Sequence, residues 1–159
     1  MTHNAIPLPQ LTGFSERNGC WYAEEISLAE LAKEFGTPLY IYSKKALTSA
    51  YQAYDKACVD PSGKRRARVH FAMKANSNLA VIDCFKKLGA GFDLVSGGEL
   101  SRALAIGADP KSLVFAGVGK SAAEIAQALQ AGVKCINVES IAELHQINRV
   151  ATKLHCRAP

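Results

Sequence analysis

No apolar run in this sequence approaches the ~20 residues that a membrane-spanning helix needs, so a protein anchored in that way is excluded. The opening residues, Met1-Thr2-His3-Asn4-Ala5-Ile6-Pro7, have no basic stretch leading into an apolar one, and no secretory leader is expected. Cysteine pairing patterns are missing as well. The five cysteines (Cys20, Cys58, Cys84, Cys135, Cys156) are odd in number and none form C-x-x-C. They read as reduced, mostly buried thiols of a cytoplasmic protein. The histidines His3, His70, His145 and His155 lack metal-ligand spacing with each other or with cysteine, so no metal site is expected. Neither a G-x-G-x-x-G fingerprint nor a P-loop is present.

What is present suits one globular domain. The 159 residues are 48% apolar, enough for a sizeable core. The net charge of +5 owes much to Lys64, Arg65, Arg66 and Arg68. No aromatics interleave with these residues, and Pro61-Ser62-Gly63 beside them is turn chemistry. A solvated loop is therefore expected there, not a nucleic-acid surface.

Residues 1–20, with Pro7, Pro9 and Gly13, read as irregular, and Trp21-Tyr22 as a short strand or packed arm. Ser27-Leu28-Ala29-Glu30 matches a capping box, opening a helix that stops at Gly36. Leu39-Tyr40-Ile41-Tyr42 reads as a strand, and Ser43 caps a second helix bearing Leu47, Tyr51 and Tyr54. Beyond the basic loop the chain repeats. Strand-like segments begin near Val69, Gly91, Leu113 and Lys134, about 22, 22 and 21 residues apart, each followed by a helical pattern. Ser121-Ala122-Ala123-Glu124 and Ser140-Ile141-Ala142-Glu143 are two further capping boxes. Such repeats demand a parallel sheet with the loops after the strands on one edge. An open doubly wound sheet and part of a (β/α)₈ barrel both satisfy this.

On that edge stand Lys74, Asn76 and Ser77, then Asp93 and Ser96-Gly97-Gly98-Glu99, then Gly117, Gly119 and Lys120, then Asn137, Glu139 and Ser140. Lys74 follows a strand directly and is flanked by Met73 and Ala75. One reading makes it a solvated surface lysine. The other makes it a desolvated amine able to attack a carbonyl. Asp93 lies inside an apolar strand, where a buried carboxylate needs a partner. Ser96, Ser121 and Ser140 also read as helix caps, and Lys120 as a surface lysine. Ser96-Gly97-Gly98 opens a helix and offers a phosphate site, though on a weak signal.

Phe71-Ala72-Met73-Lys74-Ala75-Asn76, Gly91-Phe92-Asp93-Leu94-Val95-Ser96-Gly97-Gly98-Glu99-Leu100 and Asn137-Val138-Glu139-Ser140 resemble the diaminopimelate decarboxylase family, of the alanine-racemase-like, fold-type III group. Phe115-Ala116-Gly117-Val118-Gly119-Lys120-Ser121 and Thr37-Pro38-Leu39-Tyr40-Ile41-Tyr42 are similar to that family too. The resemblance implies an α/β fold, a parallel (β/α) barrel of which only the first half is present. Residues 1–43 would be an arm, helix and lead-in strand, and 44–159 the first half of a barrel binding pyridoxal 5'-phosphate.

It further implies that Lys74 forms the Schiff base with the cofactor, and that Asp93 and Ser96 line the cofactor site, with Glu99 on the adjoining rim. The implied reaction converts meso-diaminopimelate to L-lysine and carbon dioxide. Arginine, ornithine or carboxynorspermidine decarboxylases, or a non-enzymatic relative, are the alternatives. A small amino-acid substrate, a homodimer of the full-length protein, and no nucleic-acid or membrane partner go with this. Family members are more than twice as long, so the chain reads as an N-terminal piece, inactive alone.

Overall fold

A computed structural model describes residues 12–159. Contacts divide the chain into two compact units, which meet in sequence after Ala53.

In the first unit, β1 (Phe14–Arg17), β2 (Cys20–Ala23) and β3 (Ile26–Ser27) form an antiparallel sheet in that order. The expectation of irregular chain over residues 1–20 is thus corrected for residues 14–17 and for Cys20, while its first eleven residues lie outside the described ones. Asn18 and Gly19 close the first hairpin with φ of 51° and 78°, because Arg17 pairs with Cys20. An Asn-Gly pair tolerates positive φ and matches strand twist. Ser27 caps α1 (Leu28–Phe35) by accepting the Ala29 amide at 3.2 Å. Glu30 returns no bond among the described residues, so that capping box is half made. The strand expected at Leu39–Tyr42 joins neither sheet, because no backbone among the described residues pairs with it. Helix α2 (Lys44–Ala57) is capped by Ser43 Oγ, which accepts the Ala46 amide at 3.0 Å. Glu24 adds a second cap, accepting from Ser43 Oγ and the Lys45 amide, each at 2.8 Å.

The second unit is the repeat. It runs β4 (His70–Ala72), α3 (Leu79–Lys87), β5 (Gly91–Leu94), α4 (Gly97–Ala105), β6 (Leu113–Phe115), α5 (Ala122–Ala131), β7 (Cys135–Ile136) and α6 (Ile141–Lys153). All neighbours pair in parallel, in the order β4-β5-β6-β7. A doubly wound sheet reverses its order at a switch point; a barrel adds each strand beside the last. Consecutive order with crossovers of one hand puts every helix on one face.

Burial follows that division. Phe92, Leu94, Leu113 and Phe115 are fully buried, and Ile136 nearly so. Each such side chain contributes about 1.5–3 kcal/mol by leaving water. The alternate residues Ala72, Asp93, Val114 and Cys135, in mutual register, are only half-buried. Phe71 stacks on Phe85 of α3, ring centroids 4.2 Å apart.

The basic stretch is exposed but locally tied: Arg65 pairs with Asp55 at 2.6 Å, Arg66 with Asp60 at 2.6 Å, and Arg68 donates to the Gly89 carbonyl at 3.0 Å. All five cysteines are free, and none is buried. The expectation of mostly buried thiols is corrected: Cys20 and Cys156 are exposed, and Cys58, Cys84 and Cys135 are half-buried. No described helix is long and apolar enough to cross a membrane.

Candidate functional site

The site is the edge of the second unit's sheet from which the strands lead into their helices. Lys74 sits in a single 3₁₀ turn, Met73–Ala75, directly after β4. Met73 anchors the turn by complete burial, whereas Lys74 is exposed. The desolvation expected from its apolar neighbours is therefore not seen. Its amine has no hydrogen-bond or ion-pair partner among the described residues. The turn is nonetheless held on both sides. Asn76 Oδ1 accepts the Asn78 amide at 2.9 Å, and Asn78 Oδ1 caps α3 by accepting the Ala80 amide at 2.9 Å. Arg102, from α4, donates to the Ser77 carbonyl at 3.2 Å.

Register places Asp93 beside Ala72, two residues before Lys74. Asp93 is half-buried and finds no partner among the described residues, which corrects the expectation of a paired buried carboxylate. On the open face, water reaches it. Ser96 caps α4: its Oγ accepts the Glu99 amide at 3.2 Å, while Glu99 Oε2 accepts the Val95 amide at 2.7 Å.

The Gly97 amide is spent on Glu124 Oε1 at 2.9 Å, and Glu124 Oε2 also takes the Ser121 amide at 3.0 Å and hydroxyl at 2.8 Å. The Gly97 amide, with those of Ser121, holds the Glu124 carboxyl below the usual carboxylate range. One side chain thus serves two helix starts. Its negative charge stands where a phosphate at Ser96-Gly97-Gly98 would have to sit, and the weak phosphate signal read there is not supported.

The loop after β6 passes close to the end of β5. Gly117 has φ of 90°, and a Cβ on it would lie 3.0 Å from the Val95 carbonyl oxygen. Only glycine meets both demands without strain. Lys120, read from sequence as a surface group, is buried. Its ammonium donates to the Gly117 carbonyl at 2.8 Å, the Asn137 carbonyl at 2.7 Å and Glu143 Oε1 at 2.6 Å. Glu139 is exposed on the last loop.

The structure therefore brings the loops bearing Lys74, Asp93, Ser96, Glu99 and Glu139 to one edge. Sequence reasoning missed Arg102 and the roles of Lys120, placed on the edge as a surface lysine, and of Glu143, read as the acid of a capping box. For the last two the available signal was the S-x-x-E at Ser140, whose acid makes the Lys120 pair and whose amide alone is capped, by Ser140 Oγ at 3.1 Å. Chemically, the edge offers one unengaged primary amine on a fixed turn, which suits covalent capture of an aldehyde.

Fold and edge together define the first arc of a barrel of the alanine-racemase-like type. Comparison with known proteins agrees. The family model for "Pyridoxal-dependent decarboxylase, pyridoxal binding domain" matches residues 44–157, and the chain belongs to that family. It is 47% identical over 144 residues to a diaminopimelate decarboxylase from Vibrio cholerae, covering 91% of this chain and 34% of the relative. It is 51% identical over 133 residues to one from Neisseria meningitidis serogroup A, covering 84% and 32%. The crystal structure of diaminopimelate decarboxylase from M. jannaschii in complex with L-lysine superposes with a TM-score of 0.86 at 36% identity, covering 91% of this chain and 34% of that one. The chain thus spans about a third of the length of the relatives it matches.

Proposed function

We propose that the whole protein is a pyridoxal-phosphate-dependent carboxy-lyase, and that Lys74 is the residue that holds the cofactor's aldehyde covalently. Its substrate on this reading is meso-diaminopimelate, and its products L-lysine and carbon dioxide. The carrying observation is the Lys74 amine, exposed and without a partner among the described residues, on a turn fixed by Met73, Asn76 and Arg102, in a chain that belongs to a pyridoxal-binding family. The choice of substrate is supported by the names of the relatives and by the lysine complex of the M. jannaschii enzyme.

The cofactor supplies a sink for the electron pair left when carbon dioxide departs. The chain's own residues do the rest. Lys74 would hold the cofactor's aldehyde, and its amine, when not so engaged, would carry a proton. Asp93, without a partner among the described residues and in register with Ala72 just before the Lys74 turn, offers a carboxyl group on the same edge. Ser96 keeps its hydroxyl proton to donate, since Oγ is engaged only as an acceptor. Because Glu124 occupies the start of α4, the cofactor phosphate is held elsewhere.

The test is to incubate the chain with pyridoxal phosphate, reduce with borohydride and map the modified peptide. Label concentrated on Lys74 is expected. Label absent from Lys74, or spread evenly over exposed lysines, overturns the assignment. Carbon dioxide release from diaminopimelate, compared with ornithine and arginine, tests the substrate in the full-length enzyme. A homodimer and a cytoplasmic location belong to the same proposal; sedimentation checks the first and cell fractionation the second.

A further inference from the structure

We infer that Lys120 is a positioning residue of this edge: its buried pair with Glu143 fixes the loops after β6 and β7 against each other, and so sets the shape of the mouth in which Lys74 works. The inference rests on the pyridoxal reading for its ligand, but its geometry is independent of that reading.

An ammonium group has three protons, and Lys120 donates all three. The acceptors are the carbonyl of its own turn (Gly117), the carbonyl at the end of β7 (Asn137) and a carboxylate from the first turn of α6 (Glu143). They come from three separate segments and converge on one atom. The two side chains retain only 1% and 8% of their exposure. The backbone of Lys120 is tied as well, since Gln146 Nε2 donates to its carbonyl at 3.0 Å. Removing two charges from water is costly, and apolar pairs of similar volume often do as well or better for stability. Stability alone is thus a poor reason for this arrangement.

Geometry gives a better one. Pulling the carbonyls of Gly117 and Asn137 toward one nitrogen orients the peptide planes that follow them. Those planes carry Val118 and Gly119 on one loop, and Val138 and Glu139 on the next. Val118 stays 89% exposed and Val138 46%, so the brace holds these loops up without burying their tips. An apolar pair could fill the same space but could donate to neither carbonyl. Arginine is no substitute, because its planar fork cannot meet three acceptors arranged around a point.

The experiment uses the full chain and three variants: Lys120→Met, Lys120→Arg and the double variant Lys120→Met/Glu143→Leu. Two readouts are taken on each: hydrogen exchange of residues 116–121 and 137–140 without ligand, and pyridoxal phosphate titration with borohydride mapping. The double variant, which leaves no charge unpaired, is expected to fold with near wild-type circular dichroism and melting. Its exchange in both loops should still rise about tenfold, and its half-saturating pyridoxal phosphate concentration about tenfold, with the label still on Lys74. If the double variant restores both exchange and affinity, the pair is merely structural and the inference is overturned. If the wild-type chain takes no label at Lys74, the pyridoxal reading fails and the ligand half of the inference is overturned with it. Exchange alone then decides the brace: unchanged protection in the variants overturns that too.

Discussion

Two lysines stand at equivalent joints of the same repeat, and they have opposite surroundings. Lys74, after β4, is exposed and has no partner among the described residues, on a turn held by Asn76, Asn78 and Arg102. Lys120, after β6, is buried and has no proton left to give. The fold evidently has the means to satisfy a lysine here, and does so at one joint but not at the other. An unsatisfied amine in a rigid loop is available to react; a satisfied one has become part of the frame. Function in this edge is legible as the place where local bonding is left incomplete.

The largest break in that contrast is Lys74→Ala. It should abolish borohydride-trapped label at this joint while shifting stability by no more than about 0.5 kcal/mol, as an exposed group should; urea denaturation alongside peptide mapping checks both. Lys120→Met is expected to do the reverse and cost about 3–5 kcal/mol, because it strands the Glu143 carboxylate in the interior. Equal stability of the two variants would erase the distinction. Gly117→Ala should cost about 1–3 kcal/mol, combining positive φ with crowding against the Val95 carbonyl, read from the denaturation midpoint.

The smallest effect concerns pH. Glu124 has its carboxyl held low, chiefly by the Gly97 amide. Its stabilisation is therefore present above its unfolded-state pKa and lost as pH falls through the folded one. Glu124→Gln should flatten that part of the acid limb, and melting curves between neutral and acidic pH would show it.

The repeat itself was readable, because parallel strands and amphipathic helices leave different periods and each helix announces its start with a capping residue. Strand starts near Gly91 and Leu113 coincide with β5 and β6. Lys74 was readable as the residue on the joint, but its exposure was not, since Met73 is buried and its neighbour is not. The first hairpin was overlooked although Asn18-Gly19 marks it; Phe14-Ser15-Glu16-Arg17 is too polar to advertise a strand. Leu39–Tyr42 shows the opposite failure: β-favouring residues with no strand to pair against among the described residues. The Lys120–Glu143 pair lay beyond local reading. Both residues sit in motifs with ordinary local explanations, and only the approach of two loops makes them partners.

Each tie across the edge is supplied by the repeat that follows. Arg102 reaches back to Ser77, Glu124 to Gly97, and Glu143 and Gln146 to Lys120. As the polypeptide leaves the ribosome, each turn of the arc can therefore lock only after its successor has emerged. The Lys74 amine on the first of these turns would be held in place one repeat behind the growing end, well before the last loop is made.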